Sequence, residues 1–429
     1  MRRARRRPQK ATPPENLELT IGEIGAHGDG VAHVGGRPLF VPYTLPGDRV
    51  RASRIGPNHA LPQSWIARGH TPHPSRCPHF GACGGCALQH LDDDAYAAWK
   101  LRQLETALAR RGFESINMGP LVRARPAERR RAEFAAIRTQ AQTIIGFHAY
   151  RSRTLVDMQV CAVLAPEIVA LLPPLRIFLN GLLPPARGAE ILVTRTESGL
   201  DLLISHLTQP DRRQREAVAA FAAAHDLARV AWRAKSEAPE TLTQRRVPQV
   251  RFAETAVDLP PGAFLQATRS GEDAIVAATL AGIAGAKRVA DLFAGCGTLT
   301  FPLASVARVH AVEGAGPLAD ALAAAARRAG QAGRITAETR DLERRPLLAD
   351  ELEPFDALIF DPPRDGAAAQ SAEIARSKLR KVVGVSCNPA TFARDARTLA
   401  DAGFRLSRVT PIDQFLWSPH LELVGVFER

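Results

Sequence analysis

Val289-Ala-Asp-Leu-Phe293-Ala-Gly-Cys-Gly-Thr298 is the stretch whose reading decides the fold of this chain. Its first half is a short apolar run, as a buried strand requires. Its second half is a tight glycine-rich turn, and a helix is expected soon after. Glycine lets the backbone approach a ligand that a side chain would exclude. Outward from this stretch the same alternation recurs. Val309–Val312 leads into Glu313, a third strand region closes at Asp341, Ala357–Phe360 leads into Asp361, and Lys381–Ser386 follows. Ala-rich helical stretches at 317–329 and 372–379 separate them. The pattern predicts an α/β domain over 257–429 with a Rossmann-like, doubly wound parallel sheet. Ligands of such sheets sit beyond the carboxyl ends of the strands.

An acid at the end of the second strand can accept hydrogen bonds from both hydroxyls of a ribose, and Glu313 holds that position. A dinucleotide cofactor is the nearest rival. Its phosphate fingerprint needs a third glycine, where Thr300 stands. S-adenosylmethionine carries no pyrophosphate and does not need that helix-end contact. A methyl-donor site is therefore expected, with Gly295 and Thr298 in its loop.

Val382-Val-Gly-Val-Ser-Cys387-Asn-Pro389 places a cysteine just past another buried strand, on the same sheet edge. A free cysteine is most often a small buried hydrophobe. Here Ser386, Asn388 and Pro389 make a polar, kinked turn instead. A thiolate adding to carbon 6 of uracil makes carbon 5 nucleophilic enough to take a methyl group, and a base must then remove the carbon-5 proton. Asp361 and Gln266 are the candidates for holding the ring. Glu422 is the candidate base, although taken alone it reads as a solvated strand-end glutamate.

The 429 residues suggest two or three domains, and the formal net charge of +12 suggests a polyanionic partner. A general arginine bias would give the same charge. No apolar run is long enough to span a bilayer. The basic start, Met1-Arg-Arg-Ala-Arg-Arg-Arg-Pro, lacks the apolar segment of a signal peptide, so a cytoplasmic protein with a frayed tail over 1–13 is expected. Short strand-like runs follow, with turns at Gly28, Gly30, Gly35 and Gly36. Gly28-Asp-Gly-Val-Ala-His33, Phe40-Val-Pro and Leu45-Pro-Gly-Asp-Arg-Val50 resemble the TRAM domain, an RNA-binding β-barrel, over 14–70. An α+β central domain is expected over 71–256. It contains Cys77, Cys83 and Cys86, with Cys161 farther on. Four thiolates suit a [4Fe-4S] cluster or a tetrahedral zinc, and spacing does not choose between them.

Taken together, Asp361-Pro-Pro-Arg364, Ser386-Cys-Asn-Pro389, His420-Leu-Glu422 and Phe264-Leu-Gln266 resemble the iron–sulfur-containing RNA 5-methyluridine methyltransferases, over nearly the whole chain. The resemblance implies catalysis by Cys387 and Glu422. It implies methyl-donor contacts from Gln266, Phe293, Glu313, Asp341 and Asp361, and a [4Fe-4S] cluster on the four cysteines. It also implies an RNA substrate, ribosomal (23S) rather than transfer RNA, and a monomer without a membrane partner is expected. Two departures stand out: Thr298 replaces a frequent Asn, and Leu416 and Ser418 replace a Pro and a Thr before His420. Two rival readings are an amino-methyltransferase, which would place an aromatic ring where Arg364 stands, and a non-catalytic RNA-binding assembly factor.

Overall fold

In the computed structural model, residues 15–206, 208–235 and 237–429 are described; the expected basic tail lies outside them. The chain divides into two compact units.

The first unit comprises residues 15–75, 86–93 and 417–419 of the described chain. It holds six strands: β1 (Asn16–Thr20), β2 (Glu23–Ile24), β3 (Gly30–Val34), β4 (Arg37–Val41), β5 (Arg49–Gly56) and β6 (His59–Ala67). They form one sheet in the order β1-β5-β6-β4-β3-β2. Alternation drives it: Val50 and Ala52 of β5 turn inward onto Leu19, Leu39 and Val41. Gly35 and Gly36 both have positive φ, which the two-residue turn from β3 to β4 requires. Buried Asp48 ties the sheet's end together. Its carboxylate accepts from the backbone N–H groups of Leu45 and Gly69 and from the Trp65 indole.

The second unit comprises residues 76–85, 94–416 and 420–429 and contains two larger sheets. Helix α1 (Asp93–Ala109) lies almost wholly in it and leads to the short strand β7 (Val122–Arg123). Then come β8 (Arg131–Arg138), β9 (Thr143–His148), β10 (Leu155–Asp157), α2 (Pro166–Leu182), β11 (Gly188–Thr196), β12 (Gly199–His206), α3 (Arg212–Ala224), β13 (Arg229–Ala234) and β14 (Glu240–Gln244). These strands make a seven-stranded sheet, β10-β9-β8-β11-β12-β13-β14. Helix α2 buries Ile168, Leu171, Leu172, Leu175, Leu179 and Leu182, a stripe at helical spacing, against one face. A hairpin, β15 (Gln249–Phe252) and β16 (Thr255–Asp258), leads to α4 (Arg269–Gly282), capped by the Thr268 hydroxyl.

The last sheet is built from β17 (Arg288–Leu292), α5 (Thr300–Ala304), β18 (Arg308–Glu313), α6 (Gly316–Arg328), β19 (Ile335–Thr339), β20 (Ala357–Phe360), α7 (Ala368–Arg376), β21 (Lys381–Ser386), α8 (Pro389–Asp401), β22 (Arg405–Asp413) and β23 (Glu422–Glu428). Its order is β19-β18-β17-β20-β21-β23-β22-β7. The five strands from β19 to β21 are parallel, and β23 inserts antiparallel between β21 and β22. β20 is apolar throughout and β17 is buried from Val289 to Leu292, because helices cover both faces of a parallel sheet. This is the α/β, doubly wound and mainly parallel architecture expected from the sequence. The antiparallel insertion matters for the site: it delivers the start of β23 next to the carboxyl end of β21, where Ser386 pairs with Leu423.

Candidate active site

The turn after β17 is held by backbone strain and one acid. Phe293, Gly295 and Gly297 all have positive φ within five residues. At Gly297 a Cβ would stand 2.5 Å from the Phe301 ring, so glycine is required there. At Gly295 a Cβ would meet nothing within 4 Å, so that side of the turn is open. Glu313, ending β18, accepts from Gly295 N–H (2.8 Å) through one carboxylate oxygen and from Ala315 N–H (2.8 Å) through the other. Each oxygen keeps a second lone pair for a ligand hydroxyl. Asp341 lies beside Gly314 and accepts from the backbone N–H groups of Glu343 and Arg344. Thr298 is half-buried in the same turn as Gly295.

The other side of the site is a chain of buried polar groups. Gln266 donates from Nε2 to Asp361 Oδ2 (3.2 Å), and Gln414 donates from Nε2 to Gln266 Oε1 (2.7 Å) and to Glu422 Oε2 (2.8 Å). Gln414 Oε1 accepts the Ala267 N–H, which fixes which end of its amide faces the acids. Among the described residues, no cation forms an ion pair with Asp361 or Glu422. Burial, reinforced by the Asp361 charge, raises Glu422 from 4.5 to about 8, and burial raises Asp361 to about 7. The Cys387 thiol joins them. It is pushed up to about 11 by burial and by Glu422 and Asp361, against a smaller pull from Arg364.

Local bonds hold Cys387 at the end of β21. Ser386 Oγ accepts the Asn388 N–H, and the Asn388 side chain caps α8 at Ala390. Asn388 Nδ2 and Thr391 Oγ1 both donate to the Arg364 carbonyl, which ties the cysteine turn to the Asp361-Pro-Pro-Arg364 loop. Arg364 Nη2 lies 3.3 Å from His420 Nδ1.

Three groups that matter here were not singled out from the sequence. Gln414 is the first. Asp291, in the middle of β17, is the second: it is 1% exposed, accepts from Thr300 Oγ1 (2.5 Å), and its Oδ1 has no hydrogen-bond partner among the described residues. Burial raises it to about 7, with Asp361 and Glu313 adding to the effect, so it lies electrostatically between the two halves of the site. The third is fully buried Lys100 of α1, which bonds Asp413 Oδ1 (2.9 Å) and the His420 carbonyl, while Tyr96 OH bonds Asp413 Oδ2 (2.7 Å).

Of the four clustered or distant cysteines, Cys77, Cys83 and Cys161 lie in the second unit and Cys86 in the first. Cys83 receives the Gly85 N–H (3.4 Å). Burial raises the Cys83 and Cys161 thiols. Backbone N–H groups of Val163 and Leu164 pull Cys161 back down, while Cys161 and Cys77 raise Cys83 further. Among the described residues, no group of three or more His, Cys, Asp or Glu side chains is arranged to hold a metal ion.

A doubly wound sheet with a strained glycine turn, an acid on the next strand and a thiol flanked by buried acids defines an S-adenosylmethionine-dependent methyltransferase. A family model described as tRNA (Uracil-5-)-methyltransferase matches residues 286–429. An uncharacterized RNA methyltransferase of Caulobacter vibrioides is 46% identical, over 96% of this chain and 100% of its own. The 23S rRNA (uracil(1939)-C(5))-methyltransferase RlmD of Pectobacterium atrosepticum is 31% identical, over 98% of this chain and 95% of its own. The fold is that of the Pyrococcus abyssi tRNA (uracil-54, C5)-methyltransferase, solved with S-adenosyl-L-homocysteine, at a TM-score of 0.72 and 22% identity over 96% of this chain and all of that one. This chain belongs to the RNA uracil-5-methyltransferase family. It is an RNA methyltransferase, and among its described residues no helix is long and apolar enough to cross a membrane.

Proposed function

We propose that this protein methylates carbon 5 of a uridine in 23S ribosomal RNA through a covalent adduct on Cys387. The observation that carries the mechanism is strand register: Ser386 pairs with Leu423, which sets Cys387 opposite Glu422 at the carboxyl end of β21, and Gln266 and Gln414 link Glu422 to Asp361. The Cys387 thiol gives its proton to the Asp361 carboxylate as the sulfur adds to carbon 6, and the ring's double-bond electrons move toward carbon 4 to give an enolate whose oxygen the protonated Asp361 can bond. Carbon 5 then takes the methyl group that the bound donor supplies. Glu422 removes the carbon-5 proton; that electron pair re-forms the ring double bond and expels the Cys387 sulfur. A Glu422 carboxyl raised to about 8 is a base matched to this task. Asp361 and Gln266 hold the polar edge of the ring.

The methyl donor is held by Gln266, Phe293, Gly295, Thr298, Glu313, Asp341 and Asp361. Support comes from the open side of Gly295 and from the two N–H groups that aim Glu313 into the turn. Cys77, Cys83, Cys86 and Cys161 hold a [4Fe-4S] cluster. Mutual influence of the Cys77, Cys83 and Cys161 thiols, with backbone N–H groups on two of them, fits thiolate ligation. The cluster's contribution is to fix the loops that carry its ligands. The N-terminal sheet acts as a TRAM-type RNA-binding domain, with the basic tail before it, a central domain over 71–256 and the catalytic domain over 257–429. The protein works as a cytoplasmic monomer.

The 31% identity to a 23S rRNA enzyme over nearly the full length supports the ribosomal substrate. Transfer RNA is the second reading, favoured by the description of the matching family model. Unmodified 23S rRNA and tRNA transcripts, incubated with labelled methyl donor, separate the two. Label in 5-methyluridine of the 23S transcript is expected, and none with Cys387→Ala. Label confined to tRNA reverses the substrate, and full activity in Cys387→Ala overturns the mechanism.

A further inference from the structure

The seven-stranded sheet has one face packed under α2 and α3; on the other, Leu192, Leu203 and Ala231 are buried together, and the part toward β8, β9 and the ends of β12 and β13 is open. Phe134, Ile145, Ile191, Ile204, Val230 and Trp232 point into the packed side. The alternate residues line a trough of about 670 Å³ on the other. Strand register sets its floor. Gly146, Ala135, Glu190, Ser205 and Arg233 fall in one row across β9, β8, β11, β12 and β13. Ala135 and Ser205 are small, so the sheet surface on either side of Glu190 is accessible. Ile137, 38% exposed, stands in the floor beside it.

Arg176, Arg195, Arg215 and Arg229 each pair with a carboxylate. Arg153, Arg233 and Lys235, which line the trough, make no ion pair with a carboxylate among the described residues. Lys235 is also held at a φ of +50°, a strained setting for a residue with a side chain.

We propose that this open face is a second RNA-docking site, sharing no residue with the catalytic one, that takes one or two unpaired nucleotides of the substrate. The proposal rests on the reading of the chain as an RNA methyltransferase. Three unpaired cations and a net charge of +12 suit phosphates. The volume suits a nucleotide rather than a duplex. Glu190, on the floor, would repel a phosphate, so it faces a base edge. Only a base with an amino or ring N–H donor satisfies it, and cytosine, adenine and guanine offer exocyclic amino groups. Ile137 and Leu155 give the base apolar contact, and the His148 imidazole, which also lines the trough, is a ring it can stack on.

The test uses the full-length protein and short labelled single-stranded oligoribonucleotides, with binding followed by anisotropy across a salt titration. Losing three phosphate contacts in R153Q/R233Q/K235Q should reduce the log–log salt slope by about 2, at roughly 0.7 per contact, and weaken binding at least ten-fold at low salt. Ile137→Trp, which fills the floor without changing charge, should weaken binding with the slope unchanged. Glu190→Gln should shift the preference among homopolymeric oligonucleotides. Methyl-donor affinity should hold in all three, which reports intact folding. Unchanged affinity and slope in both the triple variant and Ile137→Trp, with a wild type that binds RNA, overturns the trough alone. A wild type that binds no RNA at the lowest salt overturns the RNA reading itself, and the trough with it.

Discussion

Two buried acids lie nine residues apart in sequence and are treated in opposite ways. Asp413, at the end of β22, is clamped by Lys100 and Tyr96. Glu422, at the start of β23, has only the Gln414 amide and the like charge of Asp361 for company. Gln414, the residue after Asp413, links the two regions. An acid given a cation is a structural clamp whose charge is settled on folding. An acid denied one keeps a proton it can lose near neutral pH, which is a working state. The clamp therefore bears the position of the site, and the uncompensated pair bears its chemistry.

Breaking the clamp should have the largest effect on stability. Lys100→Met strands a fully buried Asp413 carboxylate and should cost about 3–5 kcal/mol by chemical denaturation, with Lys100→Met/Asp413→Leu recovering much of it. A cost below about 1 kcal/mol would remove the distinction between the two acids.

Glu422 should behave in the opposite sense. Its pKa is raised on folding from 4.5 to about 8, so across that window the folded protein binds a proton that the unfolded chain has released. Stability then falls as pH rises through the window. Glu422→Gln removes this burden and should stabilise the protein by about 1–3 kcal/mol at pH 8, with the gain vanishing toward pH 4.5. Thermal melts at a series of pH values measure it, and a pH-independent difference contradicts the raised pKa.

Gln414→Ala sharpens the link. It strands the Ala267 N–H and two acceptors, for a loss of about 1–3 kcal/mol. Because the Gln414 bond lowers the Glu422 pKa, its loss should also move the acidic limb of the pH–rate profile upward. A profile that shifts downward or stays put places the titrating base elsewhere. The smallest effect is expected at Glu313→Gln, which keeps one acceptor for the turn and should weaken methyl-donor binding by about 1 kcal/mol in calorimetry. Glu313→Ala is a harsher test, since it releases both Gly295 and Ala315 and should cost stability as well as affinity.

The chain's local patterns made much of this legible. The turn at 293–298, the strand into Glu313 and the Ser386-Cys-Asn-Pro389 kink are contiguous signals, and all lie at carboxyl ends of parallel strands. What escaped was either non-local or disguised. Gln414 meets Gln266 from 148 residues away, and meets Glu422 through the pairing of β22 with β23. Lys100 sits on the buried stripe of α1 with Tyr96, Trp99 and Leu104, where a lysine among apolar neighbours was the available clue. Asp291 gave the same kind of clue inside β17. Helix α2 was not singled out from the sequence; it contains Pro173 and Pro174, and its leucine stripe and burial against the sheet outweigh the missing bonds. The antiparallel insertion of β23 is a matter of topology, and no local pattern specifies it.

The most direct test of the division of labour at the site is the fate of Cys387 when the base is removed. Glu422→Gln is incubated with RNA and methyl donor, denatured, and digested with nuclease and protease for mass spectrometry. The account predicts a Cys387 peptide carrying a methylated uracil nucleotide, trapped because the carbon-5 proton stays on the ring, and no such peptide from Cys387→Ala. Free 5-methyluridine formed at the wild-type rate by Glu422→Gln, with Cys387 unmodified, would contradict it.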